Sequence, residues 1–183
     1  MDINNIYTRI DDHIMEDDKP SLYLNELLDD DMLDEYPLTM LSYLKKTDQN
    51  SKYHPEGSVW NHTMMVLDEA AKRRNKSKDA RVFMWAALLH DIGKGPSTRV
   101  RFGKITSYNH ERIGRGMAVK FLGFFDESEQ FIEDVSTLIR YHMEPLFVLK
   151  GLPFSNIKKM LQETSLDEVA LLSLCDRFGR GDM

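Results

Sequence analysis

Phe83-Met84-Trp85-Ala86-Ala87-Leu88-Leu89 runs directly into His90-Asp91-Ile92-Gly93. The apolar run lies inside a segment over 79–92 with helical periodicity, which predicts a buried helix ending at Gly93, where helices commonly stop. The C-terminal end of that helix delivers an ionisable pair into whatever cavity it faces. Burying His90 and Asp91 without compensation costs several kcal/mol. A bound cation removes the cost, because imidazole nitrogen and carboxylate oxygen both suit first-row divalent metals. Asp176 repeats the arrangement after Leu171-Leu172-Ser173-Leu174-Cys175. Its structural alternative is a buried ion pair with Arg177 or Arg180.

Outward from this run, apolar residues recur at helical spacing nearly everywhere, so the chain reads as all-α, a helical bundle. Ile3, Ile6, Ile10 and Ile14 form one stripe on a packing helix. Pro20 and Pro37 stand where helices start, with Asp29-Asp30-Asp31 as a solvated turn between them. Long helices are expected over 58–74 and 79–92, and further ones over 110–124, 127–142, 154–163 and 166–178. Asp126 with Glu129, and Ser165 with Glu168, have capping-box spacing. Residues 97–107 lose the helical period and gather β-branched residues, which predicts a small hairpin or a plain loop. The whole of 1–183 is expected to be one domain, with 1–50 a helical N-terminal extension and 54–180 the core. Whether the extension is a lid, a dimer contact or plain packing stays open.

The chain has 183 residues, 42% apolar and 30% charged, with a net charge of -6. Mild acidity argues against global steering toward nucleic acid, so any phosphate contact should come from a local patch. The single cysteine, Cys175, excludes an intramolecular disulfide and a thiolate zinc cage. No segment reads as a signal peptide or membrane span, so a cytoplasmic protein with no membrane partner is expected. Leu88 and Gly95, flanking Lys94, exclude a P-loop.

His62, His90-Asp91 and Asp176, in that order, resemble the H...HD...D signature of the HD superfamily of metal-dependent phosphohydrolases. The resemblance covers about 54–180. The stretches His54-Pro55-Glu56-Gly57-Ser58-Val59-Trp60-Asn61-His62-Thr63, His90-Asp91-Ile92-Gly93-Lys94-Gly95 and Asp176-Arg177-Phe178-Gly179-Arg180 are similar to the HD region of bacterial tRNA nucleotidyltransferases. The resemblance implies that His62, His90, Asp91 and Asp176 bind one metal. His110 and His142 lie where the two-metal branch places further ligands, so a second ion is expected, bridged by Asp91. The alternative for both histidines is phosphate contact or general-acid work in a one-metal site. Manganese, iron, nickel, cobalt, zinc and magnesium all suit such ligands.

The resemblance assigns Lys94 to substrate phosphate or to the network behind the metal. Among the basic residues near the motifs, Arg99, Arg115 and Arg177 are the substrate-binding candidates, Arg115 being preferred to Arg112 on helical facing. The run Lys72 to Lys78 reads as charge closing a helix, with guidance of an RNA backbone as the alternative. His13 and His54 are left outside the site, and the eleven methionines are read as core filler. Catalysis is assigned to Asp91, Lys94, His110 and His142. The expected activity is metal-dependent hydrolysis of nucleotides or RNA ends carrying a 2'-, 3'- or 2',3'-cyclic phosphate. The alternatives are a 5'-nucleotidase, a dinucleoside polyphosphate hydrolase, a di-iron oxygenase and a non-catalytic nucleotide sensor. Residues 1–53 are too short and too helical for a nucleotidyltransferase head. The end near Asp176 would suit a boundary with a polynucleotide kinase, fused or separate.

Overall fold

The computed structural model describes residues 2–50 and 54–180 and is mostly helical, with one small antiparallel hairpin. The N-terminal part holds α1 (Ile3–Glu16), α2 (Ser21–Asp29) and α3 (Thr39–Ser42), the last continuing into a 3-10 turn, Tyr43–Lys46. The central helices α4 (Val59–Ala71) and α5 (Ala80–Leu89) lead to a short α6 (Lys94–Ser97). The hairpin β1 (Arg99–Arg101) and β2 (Lys104–Thr106) comes next. The chain finishes with α7 (His110–Phe124), α8 (Glu129–Tyr141), α9 (Glu144–Leu149), α10 (Ile157–Glu163) and α11 (Leu166–Phe178).

Helix α5 is the hub because it has almost no polar face to turn outward. Every residue from Val82 to Leu89 is buried, and the helix packs against α1, α4, α8 and α11. Burial of side chains the size of Phe83 and Leu88 stabilises by roughly 1.5–3 kcal/mol each. Trp85 carries a polar atom into this core, and its indole Nε1 donates to Asp11 Oδ1 at 2.6 Å. The isoleucine stripe of α1 is fully inside. Tyr7 stacks between Trp85 and Phe125, with ring centroids at 4.8 and 4.0 Å. The N-terminal helices therefore pack on the same core as α5. Arg74, from the basic run, donates to the Glu16 and Asp17 carbonyls and so closes the C-terminal end of α1.

Local chemistry differs from the expectation at three places. Helix α5 stops at Leu89, and Gly93 is not its left-handed cap. A Cβ at Gly93 would stand 2.1 Å from the His110 carbonyl oxygen and 2.5 Å from Gly114 N, so this glycine is required by the close approach of α7. At α8 the N-cap is Ser128, which accepts from Phe131 N, while Asp126 sits at φ 55 in the turn before it. Ser165 does cap α11, but Glu168 turns away to accept from Ser77 Oγ and Lys78 N. Among the described residues, no helix is long and apolar enough to cross a membrane.

Candidate metal centre

Five helices bring His62, His90, Asp91, His110, His142 and Asp176 together. His62 comes from the middle of α4, His90 and Asp91 from the end of α5, His110 from the first position of α7, His142 from the end of α8, and Asp176 from α11. The cluster is buried, each of its six residues being at most 7% exposed. Asp91 occupies the middle. Its Oδ2 lies 3.3 Å from His90 Nε2 and 3.6 Å from His62 Nε2, while its Oδ1 lies 3.4 Å from His110 Nε2 and 3.9 Å from His142 Nε2. Asp176 Oδ1 lies 3.1 Å from His62 Nε2.

The tautomers are set by the other ring nitrogen. His90 Nδ1 donates to the Ala87 carbonyl at 2.8 Å, His110 Nδ1 to Ser107 at 2.8 Å and His142 Nδ1 to Ile139 at 2.7 Å. A carbonyl only accepts, so each Nδ1 holds the proton of the neutral ring and each Nε2 lone pair faces inward. His62 Nδ1 stands 3.1 Å from the Gly179 carbonyl and 3.0 Å from Glu56 Oε1. Gly179 must be glycine for that approach, since a Cβ there would lie 2.7 Å from Val66 N.

Burial holds the His142 pKa down to about 3, with the neighbouring His110 and His90 adding to the effect. Burial also lowers His110, against the pull of Asp91. Both are therefore neutral imidazoles near pH 7, the form that binds cations. For Asp91 burial favours the acid, but the Lys94 ammonium, 2.6 Å from Oδ2, and His90 more than offset it and hold the carboxyl well below its usual range. Asp176 is likewise held low against its burial, by His62 and by Arg180, whose guanidinium reaches both carboxylate oxygens at 3.2 Å. Arg180 is thus the ion-pair partner, while Arg177 is exposed.

Two ligand groups emerge, His62-His90-Asp91 and Asp91-His110-His142, and they share Asp91. Within each, the ligand atoms lie within 4.8 Å of one another. His62 Nε2 and His90 Nε2 are buried without a hydrogen-bond partner among the described residues, and the only donor close to Asp91 Oδ2 among them is the Lys94 ammonium. Such atoms are costly unless a cation takes their lone pairs, so the residues fit divalent metal without thiolate. A third group, His54-Glu56-His62, uses the Nδ1 side of His62. That nitrogen carries a proton, so Glu56 and His54 support the centre from behind. His54 donates from Nδ1 to Glu56 Oε1 at 2.8 Å.

The centre opens into a cavity of about 800 Å³. Lys94, which also donates to Gln49 Oε1 at 2.8 Å, lies on its wall with Lys104, Arg112, Arg140 and Arg180. Phe147 and Phe154, also on the cavity wall, form an aromatic corner with ring centroids 5.8 Å apart. Arg99, Arg115 and Arg177 are not among the lining residues. Arg99 donates to the Pro96 and Thr98 carbonyls, and Arg115 pairs with Glu133 at 2.6 Å on the outside of α7. Arg112 reaches the cavity because side chains of a first helical turn lean back over the N-terminus, whichever face they start from. Gln49 and Arg140 join the site without any sequence signal, whereas Glu56 and His54 belong to the stretch 54–63 and take their place through the fold, Glu56 at His62 Nδ1 and His54 at Glu56 and on the cavity wall. His13 lies apart, stacked on Tyr23 and bonded to Asp17.

A family model described as "HD domain" matches residues 59–181. Several proteins named "Multifunctional CCA protein" are similar to this chain. The one from Hahella chejuensis is 26% identical over 165 residues, 90% of this chain and 34% of that protein. That from Methylococcus capsulatus is 35% identical over 101 residues, 51% of this chain and 21% of that protein. That from Cupriavidus necator is 27% identical over 130 residues, 70% of this chain and 27% of that protein. The chain therefore spans about a third or less of the length of these curated relatives.

Proposed function

The chain belongs to the HD-domain family, and from that premise we propose that it hydrolyses phosphate esters on nucleotides or RNA ends carrying a 2'-, 3'- or 2',3'-cyclic phosphate. One observation carries the reading: Asp91 stands between two pairs of imidazole Nε2 atoms, turning one carboxylate oxygen to each pair. The metal-dependent architecture is that of the phosphohydrolases in this family. The similarity to proteins named for CCA directs attention to RNA ends.

In this reading His62, His90, Asp91 and Asp176 hold one divalent ion, and Asp91, His110 and His142 hold a second. Manganese, iron, nickel, cobalt, zinc and magnesium remain the candidates. Bound divalent ions supply Lewis-acid polarisation of a phosphoryl group and a lowered pKa for water. The chain's own residues do the rest. Lys94 presents an ammonium at the cavity wall, where it meets a phosphoryl oxygen, and Gln49 and Asp91 fix its position. Arg112 and Arg140 offer guanidinium forks to further phosphate oxygens. Glu56 and the Gly179 carbonyl hold the His62 ring in the ligating tautomer.

The test is phosphate release from 2'-, 3'-, 5'- and 2',3'-cyclic nucleotides and phosphorylated RNA ends, with each metal in turn and Asp91→Asn as control. Metal-dependent turnover of the 2', 3' or cyclic substrates, lost in Asp91→Asn together with bound metal, is expected. Full activity in that variant, or turnover confined to 5'-phosphates, refutes the proposal.

A further inference from the structure

Between Asp91 and Glu111 the chain has no carboxylate, yet it carries Lys94, Arg99, Arg101 and Lys104. In a protein of net charge -6 this is a local reversal of sign. The same segment forms the hairpin, paired Arg99 to Thr106, Val100 to Ile105 and Arg101 to Lys104. Three of its apolar side chains stand in solvent: Val100 is 74% exposed, Tyr108 62%, and Phe102 fully exposed. They contribute nothing to the core.

Phe102 is also misplaced for folding. It shares the two-residue turn with Gly103, at φ 50 and φ 71. A turn with both central residues at positive φ favours Asn-Gly, and a bulky residue there costs roughly 1–2 kcal/mol. A strained, wholly exposed aromatic is a sign of work outside the fold. Arg101 lies over the Tyr108 ring, 5.4 Å from its centroid, which fixes a cation beside an aromatic plane. The stretch from Lys104 to Tyr108, which begins with the second strand, lines the cavity that holds the metal centre, while Arg101 and Phe102 do not. The hairpin therefore stands on the rim, with its tip outside.

On the proposed phosphohydrolase reading, we infer that this hairpin docks the single strand of an RNA whose phosphorylated end enters the cavity. Cations spaced between exposed aromatic planes match the requirement of a single strand, with phosphates to be tracked and bases to be stacked. An apolar protein partner would leave Arg101 and Lys104, which have no carboxylate partner among the described residues, without a purpose. RNA is the strand that fits, because 2'- and 2',3'-cyclic phosphate ends exist only on ribose. Arg101 and Phe102 touch the strand upstream of the reacting end, outside the cavity lining.

The test uses the full chain and a fluorescent single-stranded RNA of about ten nucleotides ending in a 3'-phosphate, a length within known site sizes. Arg101→Gln/Phe102→Ala is expected to weaken binding in fluorescence anisotropy by at least about tenfold. The slope of log affinity on log salt becomes shallower by about 0.7 for the lost phosphate contact. The kcat/KM for this RNA falls by the same factor, through KM, while that for a 3'-mononucleotide is unchanged. Arg101→Gln alone moves binding in the same direction, which guards against a turn that no longer forms. Equal RNA binding by wild type and both variants overturns the inference. So does sedimentation showing that wild type self-associates through Phe102. The two readings fail separately. Variant-sensitive RNA binding with no hydrolysis of any substrate refutes the phosphohydrolase proposal alone. Hydrolysis with variant-insensitive binding refutes the docking role alone.

Discussion

Gly93→Ala adds one methyl group where the structure has no room for it. The new Cβ would stand 2.1 Å from the His110 carbonyl oxygen and 2.5 Å from Gly114 N, both backbone atoms of α7 that no rotamer change can move. Ordinary contact between such atoms is about 3.5 Å, so the start of α7 must retreat by more than about 1 Å from the turn after α5. Overpacking of this kind costs about 3 kcal/mol. For a chain of this size that lowers Tm by roughly 6–12 °C. The retreat also draws His110 away from Asp91, which now stands 3.4 Å from its Nε2. A misplacement of about 1 Å in a reacting constellation costs on the order of 10²-fold in rate. His62, His90 and Asp176 come from α4, α5 and α11, so the ligand group on that side stays assembled. Thermal unfolding, metal content by mass spectrometry and kcat measured on one preparation are expected to show a lower Tm, partial loss of metal and strongly reduced turnover. The control is Gly116→Ala on the same helix, where a Cβ meets nothing within 4 Å. That change is expected to stabilise by roughly 0.5–1 kcal/mol, because alanine suits a helix interior better. Wild-type Tm and kcat in Gly93→Ala, or equal damage from both substitutions, would refute the packing argument.

Glu56→Gln keeps the shape of the side chain but removes the charge facing His62 Nδ1; metal affinity measured by chelator competition is expected to fall by about 10- to 100-fold, and an unchanged affinity would leave Glu56 with no role behind the ligand. A pH effect arises from His142, whose pKa of about 3 lies below the unfolded value of about 6.5. The unfolded chain binds the extra proton, so stability is full above about pH 6.5 and is lost as pH falls toward 3, by about 2 kcal/mol at pH 5. His110, also lowered, adds to the loss, while His62, which is raised, opposes it. Protein stripped of metal with a chelator should thus melt several degrees lower at pH 5 than at pH 7, and His142→Asn should flatten that difference; an equal drop in the variant assigns it elsewhere.

Much of this architecture is legible in the chain because apolar periodicity and burial are the same information. The stripe from Ile3 to Ile14 and the run from Phe83 to Leu89 pack as their spacing demands. Short elements are less legible. The helix Glu144–Leu149 has too few residues to show a period, and the 3-10 turn after Ser42 is a local tightening that no pattern announces. The hairpin at 99–106 shows in the loss of helical period, but its turn does not, since Phe102 violates the preference that would reveal it. Arginine partners are the least legible. Arg115 and Arg112 differ by less than one helical turn, and what separates them is Glu133 on a neighbouring helix and the position of the α7 N-terminus beside the cavity.

The same distinction divides the metal centre itself. His90 and His142 each come directly after the last residue of a helix, where the final carbonyls have no intrahelical donor. Each ring turns its Nδ1 back to the carbonyl three residues earlier, satisfying that oxygen and aiming Nε2 away from the helix end. One local rule thus supplies the tautomer, the ring orientation and a cap, and it needs only the histidine's place in the sequence. His62 stands in the middle of α4, where the backbone carbonyls are already taken by the helix. Its Nδ1 therefore has to find its acceptors at a distance, in the Gly179 carbonyl beyond α11 and in Glu56 before α4. The dependence explains why Gly179 must approach Val66 so closely, and why the role of Glu56 shows only once the fold sets it against His62. It also locates the fragile part of the centre. Orientation encoded within a helix end survives small shifts between helices, whereas the His62 ring is only as well aimed as the packing of α11 against α4.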